Sequence, residues 1–212
     1  MARKHREYEN DYPSMTQLLD QLRKIALEMW FKKNTPEFIA TESAKGREIG
    51  TQLHQAIQDH IELLEVKVET AYTAEITNAL KSFMLFKREC PQIKLKKSEV
   101  KLTSETYKIN GTLDCVGNDG EEVIVDWKTG KCGDDIKPPI YDEYTYQVSG
   151  YTELYNEINK ANIKKAYIIV FAKDQVAYSI KEVTAEEIKG SFNNVILPLN
   201  TIWQYKHREK NG

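Results

Sequence analysis

Asp126 and Lys128 leave the end of one apolar stretch with a single residue, Trp127, between them. Val123, Ile124 and Val125 before them are β-branched and read as a buried strand. A period of two then puts Asp126 and Lys128 on one face and Trp127 on the other. A core strand gains nothing from an acid and an amine at its exit unless they meet charge, and a metal ion with a phosphate suits both. Alone the pattern is weak, because a surface Asp–Lys pair at a strand end explains it equally well.

Asp114, in Gly111-Thr112-Leu113-Asp114, is the second acid. The turn Gly117-Asn118-Asp119-Gly120 joins its strand to the next as a hairpin, in one of two registers. A two-residue loop, Asp119-Gly120, puts Asp114 on the face opposite Asp126. A three-residue loop, Asn118-Asp119-Gly120, sets Asp114 across from Ile124 and on the face of Asp126, and glycine at its third position favours this register. The two carboxylates are then diagonal neighbours, with Cα atoms about 7–8 Å apart. With the Trp127 backbone carbonyl they suit Mg²⁺ or Mn²⁺. A metal-bound water held by Lys128 is a nucleophile for phosphodiester cleavage, and Lys128 can also stabilise charge growing on the phosphate.

The elements that must position these groups follow from periodicity. Ser14 with Gln17 fits a capping box before a helix striped by Leu18, Leu22, Ile25, Met29 and Trp30. Thr35-Pro36 opens a second helical piece, Gly46 interrupts, and a long helix runs from Arg47 to Val68 on the stripe Ile49, Leu53, Ile57, Ile61 and Leu64. Ala74 to Arg88 is helical up to Cys90-Pro91. Strands are expected at Ile93 to Leu102, Tyr107 to Val116 and Glu121 to Trp127. A tyrosine-rich helix from Asp142 to Asn159 comes next, then strands Lys165 to Phe171 and Val176 to Val183. A helix from Ala185 to His207, kinked near Pro198, closes the chain. The sum is α/β, a mixed central sheet flanked by helices.

In this order the residues resemble the PD-(D/E)XK nucleases, and within them the RecB-like branch. Asp114 fits its Gly-x-x-Asp motif, Asp126-Trp127-Lys128 its acid-x-Lys motif, Gly50-Thr51-Gln52-Leu53-His54 its Gly-x-x-x-His element and Gln147-Val148-Ser149-Gly150-Tyr151 its Gln-x-x-x-Tyr element. The resemblance implies a restriction-endonuclease-like core with additional N-terminal and C-terminal helices. It makes Asp114, Asp126 and Lys128 catalytic, His54 a further metal ligand, and Gln147 and Tyr151 substrate-positioning residues. Tyr12-Pro13-Ser14-Met15-Thr16 and the Gly111 to Val116 stretch are similar to mitochondrial genome maintenance exonucleases and to phage and bacterial relatives, which act on single-stranded DNA ends. One nuclease domain is expected, with 1–45 a helical extension, 46–183 the catalytic core and 184–212 a C-terminal helix. Each element also has a plainer reading. His54 suits a buried core histidine, Gln147 and Tyr151 are neighbours one helical turn apart, and the tyrosines of this region can be core as well as stacking faces for bases.

Composition bounds the rest. At 212 residues, 41% hydrophobic and 29% charged, with a net charge of −2, the chain is of ordinary globular type. Lys81 to Lys108 is locally basic, with eight Lys or Arg against three acids, which suits a phosphate track or a lysine-protected strand edge. Cys90, Cys115 and Cys132 suggest neither a disulfide framework nor an iron–sulfur cluster and point to a reducing, intracellular setting, while the resemblance to phage and bacterial nucleases implies the cytoplasm of a bacterial or phage-infected cell. No membrane span is expected, and the first eleven residues, Met1 to Asp11, read as neither a signal nor a transit peptide. The expected partner is DNA, single-stranded or with free ends. No phosphate-binding Gly-x-x-x-x-Gly-Lys-Ser/Thr loop occurs, so a helicase or recombination motor would be a separate polypeptide. The rivals are a structure-selective endonuclease and a catalytically silent nucleic-acid-binding protein.

Overall fold

The hairpin that carries both acids sets the frame of the computed structural model, which describes residues 10–67 and 71–208. Most of the stretch read for targeting signals, residues 1–9, lies outside the described residues, as does Val68. The helix expected to reach Val68 stops at Ile61, where the backbone turns left-handed at Leu63 and leaves Leu64 of the expected stripe 56% exposed. Among the described residues five strands, β1 (Lys94–Ser104), β2 (Ile109–Asn118), β3 (Glu122–Gly130), β4 (Ala166–Ala172) and β5 (Tyr178–Val183), lie side by side in chain order. All neighbours are antiparallel except β3 and β4, which run parallel. A parallel pair needs a crossover, and helix α5 (Asp142–Asn159) supplies it. The expected α/β class with a mixed sheet is what the chain forms, and α5 has the bounds its tyrosine-rich pattern predicts.

Among the described residues, seven α-helices flank the sheet: α1 (Met15–Leu19), α2 (Ile25–Lys33), α3 (Pro36–Ile61), α4 (Thr73–Glu89), α5, α6 (Ala185–Ser191) and α7 (Leu197–Arg208). Strand β3 alternates between two cores. Ile124 joins Leu18, Val148 and Leu154 on the face covered by α1 and α5 to α7, while Val123, Val125 and Trp127 join Ile49, Leu53 and Phe83 under α3 and α4. Strand β4 is buried along its whole length, as a parallel strand covered on both faces must be.

The helices depart from expectation in three places. The first splits into α1 and α2, because Gln21 turns its amide onto the carbonyls of Leu18 and Leu199, ending α1 and tying it to α7. The Ser14–Gln17 capping box is present. Gly46 does not interrupt α3, which runs unbroken from its Thr35 cap and Pro36 to Ile61; one helical glycine costs only about 1 kcal/mol. The early stop of α3 at Ile61 is the third departure, whereas the C-terminal helix is irregular just ahead of Pro198, in the region where a kink is expected. A π turn over Phe192–Ile196 joins α6 to α7, since proline has no N–H to continue the α ladder. Among the described residues no helix is long and apolar enough to cross a membrane.

The hairpin register also differs. Asn118 pairs with Glu122 and Cys115 with Val125, so the loop is Asp119-Gly120-Glu121, with Gly120 at φ +112° in its middle. Asn118 stays in the strand and its side-chain carbonyl accepts from the Gly120 N–H. Asp119 is drawn off to Lys165 and Tyr167 at the start of β4. This register puts Asp114 level with Asp126, not with Ile124.

At those two acids the sheet forks. The β2–β3 ladder stops at Cys115 and Val125, yet β1 stays paired with β2 as far as Ile109, and β4 with β3 as far as Gly130.

Candidate active site

The gap between the parted strands collects charged groups from both layers. Asp114 and Asp126 are 6% and 1% exposed, so neither is a solvated surface acid. Asp114 accepts a hydrogen bond from the Trp127 backbone N–H at 3.0 Å, replacing one of the ladder bonds lost at the fork. From the α3 side, His54 brings its Nδ1 to 3.3 Å from Asp114 Oδ1, and its ring meets Trp127 edge-on at 6.0 Å between centroids. From the α5 side, Lys128 contacts Asp126 directly and lies 4.0 Å from Asp114. Its ammonium stands 5.7 Å from the centre of the Tyr144 ring and 3.5 Å from the Trp127 carbonyl. Trp127 packs under α3 and α4 while Lys128 lies toward α5, the alternation expected of a strand.

Glu99 joins this group, and sequence reasoning missed it. Its carboxylate is 3.6 Å from His54 Nδ1, and His54, Glu99 and Asp114 each offer a ligand atom within 4.8 Å of the others. Glu99 lies in β1 between Ser98 and Val100, whose partners Cys115 and Leu113 flank Asp114. Its φ of +53° is left-handed, and a glutamate holds that only where its surroundings impose it, at a cost of about 1–3 kcal/mol. Strand alternation in the lysine-rich β1 gives no hint of this turn of the backbone. The one available signal was the lack of an acid one turn after His54, where Gln58 stands.

The electrostatics divide the two aspartates. Burial pushes both carboxyls up. For Asp114 this is outweighed by His54, Lys128 and the Trp127 N–H, which hold it below the usual carboxylate range. For Asp126 burial dominates, with the neighbouring Asp114 charge adding to it, and Lys128 offsets only part, so its carboxyl is raised. Asp126 Oδ1 is buried with no hydrogen-bond partner among the described residues. A buried carboxylate oxygen without a donor, on the acid level with Asp114 of that ligand group, fits a nearby divalent cation. The donor set of His54, Glu99 and Asp114, one imidazole and two carboxylates, suits Mn²⁺ as well as Mg²⁺.

The two positioning residues are placed differently. Gln147 lines a cavity of about 750 Å³ between α1, α2 and the start of α5. Tyr151, one turn on, is only 5% exposed and belongs to the core. Its hydroxyl accepts from the Gln147 amide at 3.1 Å. Its ring lies against Gly111, where a Cβ would stand 2.7 Å from Cε1. The glycine three residues before Asp114 thus makes room for the tyrosine four residues after Gln147. Tyr144 is a second residue the sequence reading left among its neighbours. Burial first, then Tyr141, Glu143 and Asp126, push its phenol up, so it stays protonated beside Lys128.

No family model matches the chain, and no curated protein does. Among solved structures it is similar to an alkaline exonuclease from Laribacter hongkongensis, at 10% identity and TM-score 0.42, over 94% of this chain and 93% of that one. The same enzyme in complex with dAMP matches at 9% identity and TM-score 0.42, over the same shares. A phage-related exonuclease from Haemophilus somnus 129PT matches at 14% identity and TM-score 0.38, over 74% and 82% of the two chains. At these identities and TM-scores the likeness is of a general kind, and the functional reading stands on the residues gathered at the fork.

Proposed function

We propose that the chain is a divalent-metal-dependent nuclease that hydrolyses phosphodiester bonds in DNA, acting as an exonuclease with a preference for single strands. The observation that carries this reading is the buried carboxylate pair Asp114 and Asp126, with Lys128 against the second acid, His54 against the first and Glu99 against His54. A pure binding protein has no use for buried acids beside a phosphate.

His54, Glu99, Asp114 and Asp126, with the Trp127 carbonyl, would hold Mg²⁺ or Mn²⁺. The ion would supply an acidified water and neutralise charge on the phosphate. Asp114, fixed by the Trp127 N–H, sets the geometry of the centre before substrate arrives. Lys128 keeps its ammonium at the mouth of the gap, where it stabilises negative charge developing on the phosphate oxygens. Gln147 orients the strand from the cavity side, and Tyr151 holds the Gln147 amide. Residues 46–183 contain all of these groups and form the proposed catalytic core, to which α3 contributes its C-terminal part, with α1 and α2 before it and α6 and α7 after it as additions.

The test is digestion of end-labelled linear single-stranded, duplex and circular single-stranded DNA with Mg²⁺, Mn²⁺ or EDTA. Metal-dependent loss of linear single strands with circles spared is expected. Cleaved circles would replace the exonuclease reading by an endonuclease one, and no cleavage with either metal would leave a silent binding protein.

A further inference from the structure

Lys128, Tyr144 and Tyr141 form a continuous path out of the fork. The ammonium of Lys128 lies 5.7 Å from the Tyr144 ring centre, and the Tyr144 ring meets Tyr141 at 5.5 Å and 79°. Both tyrosines, with Trp30 of α2 and Gln147 of α5, line the cavity of about 750 Å³. That volume falls within the range of about 300–1,000 Å³ typical of sites for small organic groups. Two basic side chains, Arg23 and Lys24, also line it, but each already has an acid. Arg23 makes paired hydrogen bonds to Glu28 at 2.9–3.0 Å, and Lys24 lies 3.2 Å from Asp20. What the cavity has left to offer is aromatic surface, the Gln147 amide, the Thr16 hydroxyl and the Glu143 carboxylate, which suits a base with its hydrogen-bonding edge and not a phosphate.

We propose that this cavity takes an unstacked base of single-stranded nucleic acid, from the nucleotide next to the one whose phosphate lies at Lys128. The inference rests on the nuclease reading and deepens it. Trp30 and Tyr141 provide the stacking faces, while the Gln147 amide meets a base edge. A base inside a duplex is stacked and paired on both sides and cannot enter without leaving the helix, so strand preference follows from the shape of the cavity. Stacking on aromatic rings tolerates every base, so little sequence preference is expected.

The test uses single-stranded oligonucleotides carrying 2-aminopurine at one of the terminal nucleotides, bound in EDTA, which withholds the metal, to the full unaltered chain. Quenched emission at one position is expected. So is an affinity at least about tenfold weaker when Tyr141→Ala or Trp30→Ala is added, restored by Tyr141→Phe and Trp30→Phe. In the otherwise unaltered enzyme the alanine changes should raise KM for single strands by a similar factor and move kcat far less. Tyr141 is 44% exposed, so Tyr141→Ala is tolerated by the fold even if Trp30→Ala disturbs α2. Unquenched probe at every position, or affinity unmoved by Tyr141→Ala, overturns the inference while cleavage by the unaltered chain leaves the nuclease reading standing. Absence of all cleavage removes the nuclease reading and this inference with it.

Discussion

The carboxylate of Asp114 is held at 3.0 Å by the backbone N–H of Trp127, so the strand that carries one acid fixes the other. Neither position depends on a flexible loop.

Removing the acids should therefore end chemistry without ending the fold. Asp114→Asn and Lys128→Ala are expected to lower cleavage at least about 10²–10³-fold. Circular dichroism of the purified variants should stay that of the parent. Turnover near the parent rate in both would remove these residues from the site.

Metal should stabilise the folded chain. At a Mn²⁺ concentration about a hundred times Kd, binding contributes about 2.7 kcal/mol, or roughly 5–10 °C in Tm for a chain of this size. Thermal melts with Mn²⁺ against EDTA would show it, and Asp114→Asn should abolish the difference. A parent chain that melts at the same temperature in both would contradict the cation site.

Glu99→Gly separates stability from metal binding. Glycine relieves the left-handed backbone at φ +53°, so the metal-free variant should melt no lower than the parent, with a gain of about 1 kcal/mol at most. Calorimetry should show weaker Mn²⁺ binding. Unchanged metal affinity would take Glu99 out of the ligand set.

Gly111→Ala tests the packing of the core behind the site. The added methyl meets the Tyr151 ring at 2.7 Å, and a buried ring cannot swing aside as a chain end can. Overpacking of this kind costs about 1–3 kcal/mol, measurable as a lower denaturant midpoint. Tyr151→Leu in the same chain should recover part of that loss.

Acid sensitivity has a source outside the site. Burial pushes the Asp119 carboxyl up, but hydrogen bonds from Lys165 at 2.7 Å and Tyr167 at 2.6 Å outweigh it and hold the group below its usual value. A lowered folded pKa gives stability that is fully present above the unfolded value of about 4 and is lost as pH falls through the folded one. Asp119→Asn should thus be less stable than the parent at pH 7, with the gap narrowing in acid. A gap independent of pH would show that the charge is not the source.

How much of this was legible varies with the range of the interaction. Helix α5 was readable because its pattern is local, and so was the split of Asp126 and Lys128 from Trp127, which needs only the period of a strand. Three features needed contacts distant in sequence. Gln21 ends α1 through a carbonyl on α7. Asp119 stays in the turn but sends its side chain to Lys165 and Tyr167, in the register that brings Asp114 level with Asp126. Glu99 reaches His54 only because the β1 backbone turns left-handed, in a strand whose alternation with lysine gives no sign of it.

The fork in the sheet has a mechanical consequence. Each prong keeps a hydrogen-bonded neighbour on its outer side, β1 beside β2 and β4 beside β3, so the opening is braced like a fixed jaw. Its width is set by main-chain ladders and does not wait on a closing lid. The groups that line it are ready at full spacing before anything is bitten.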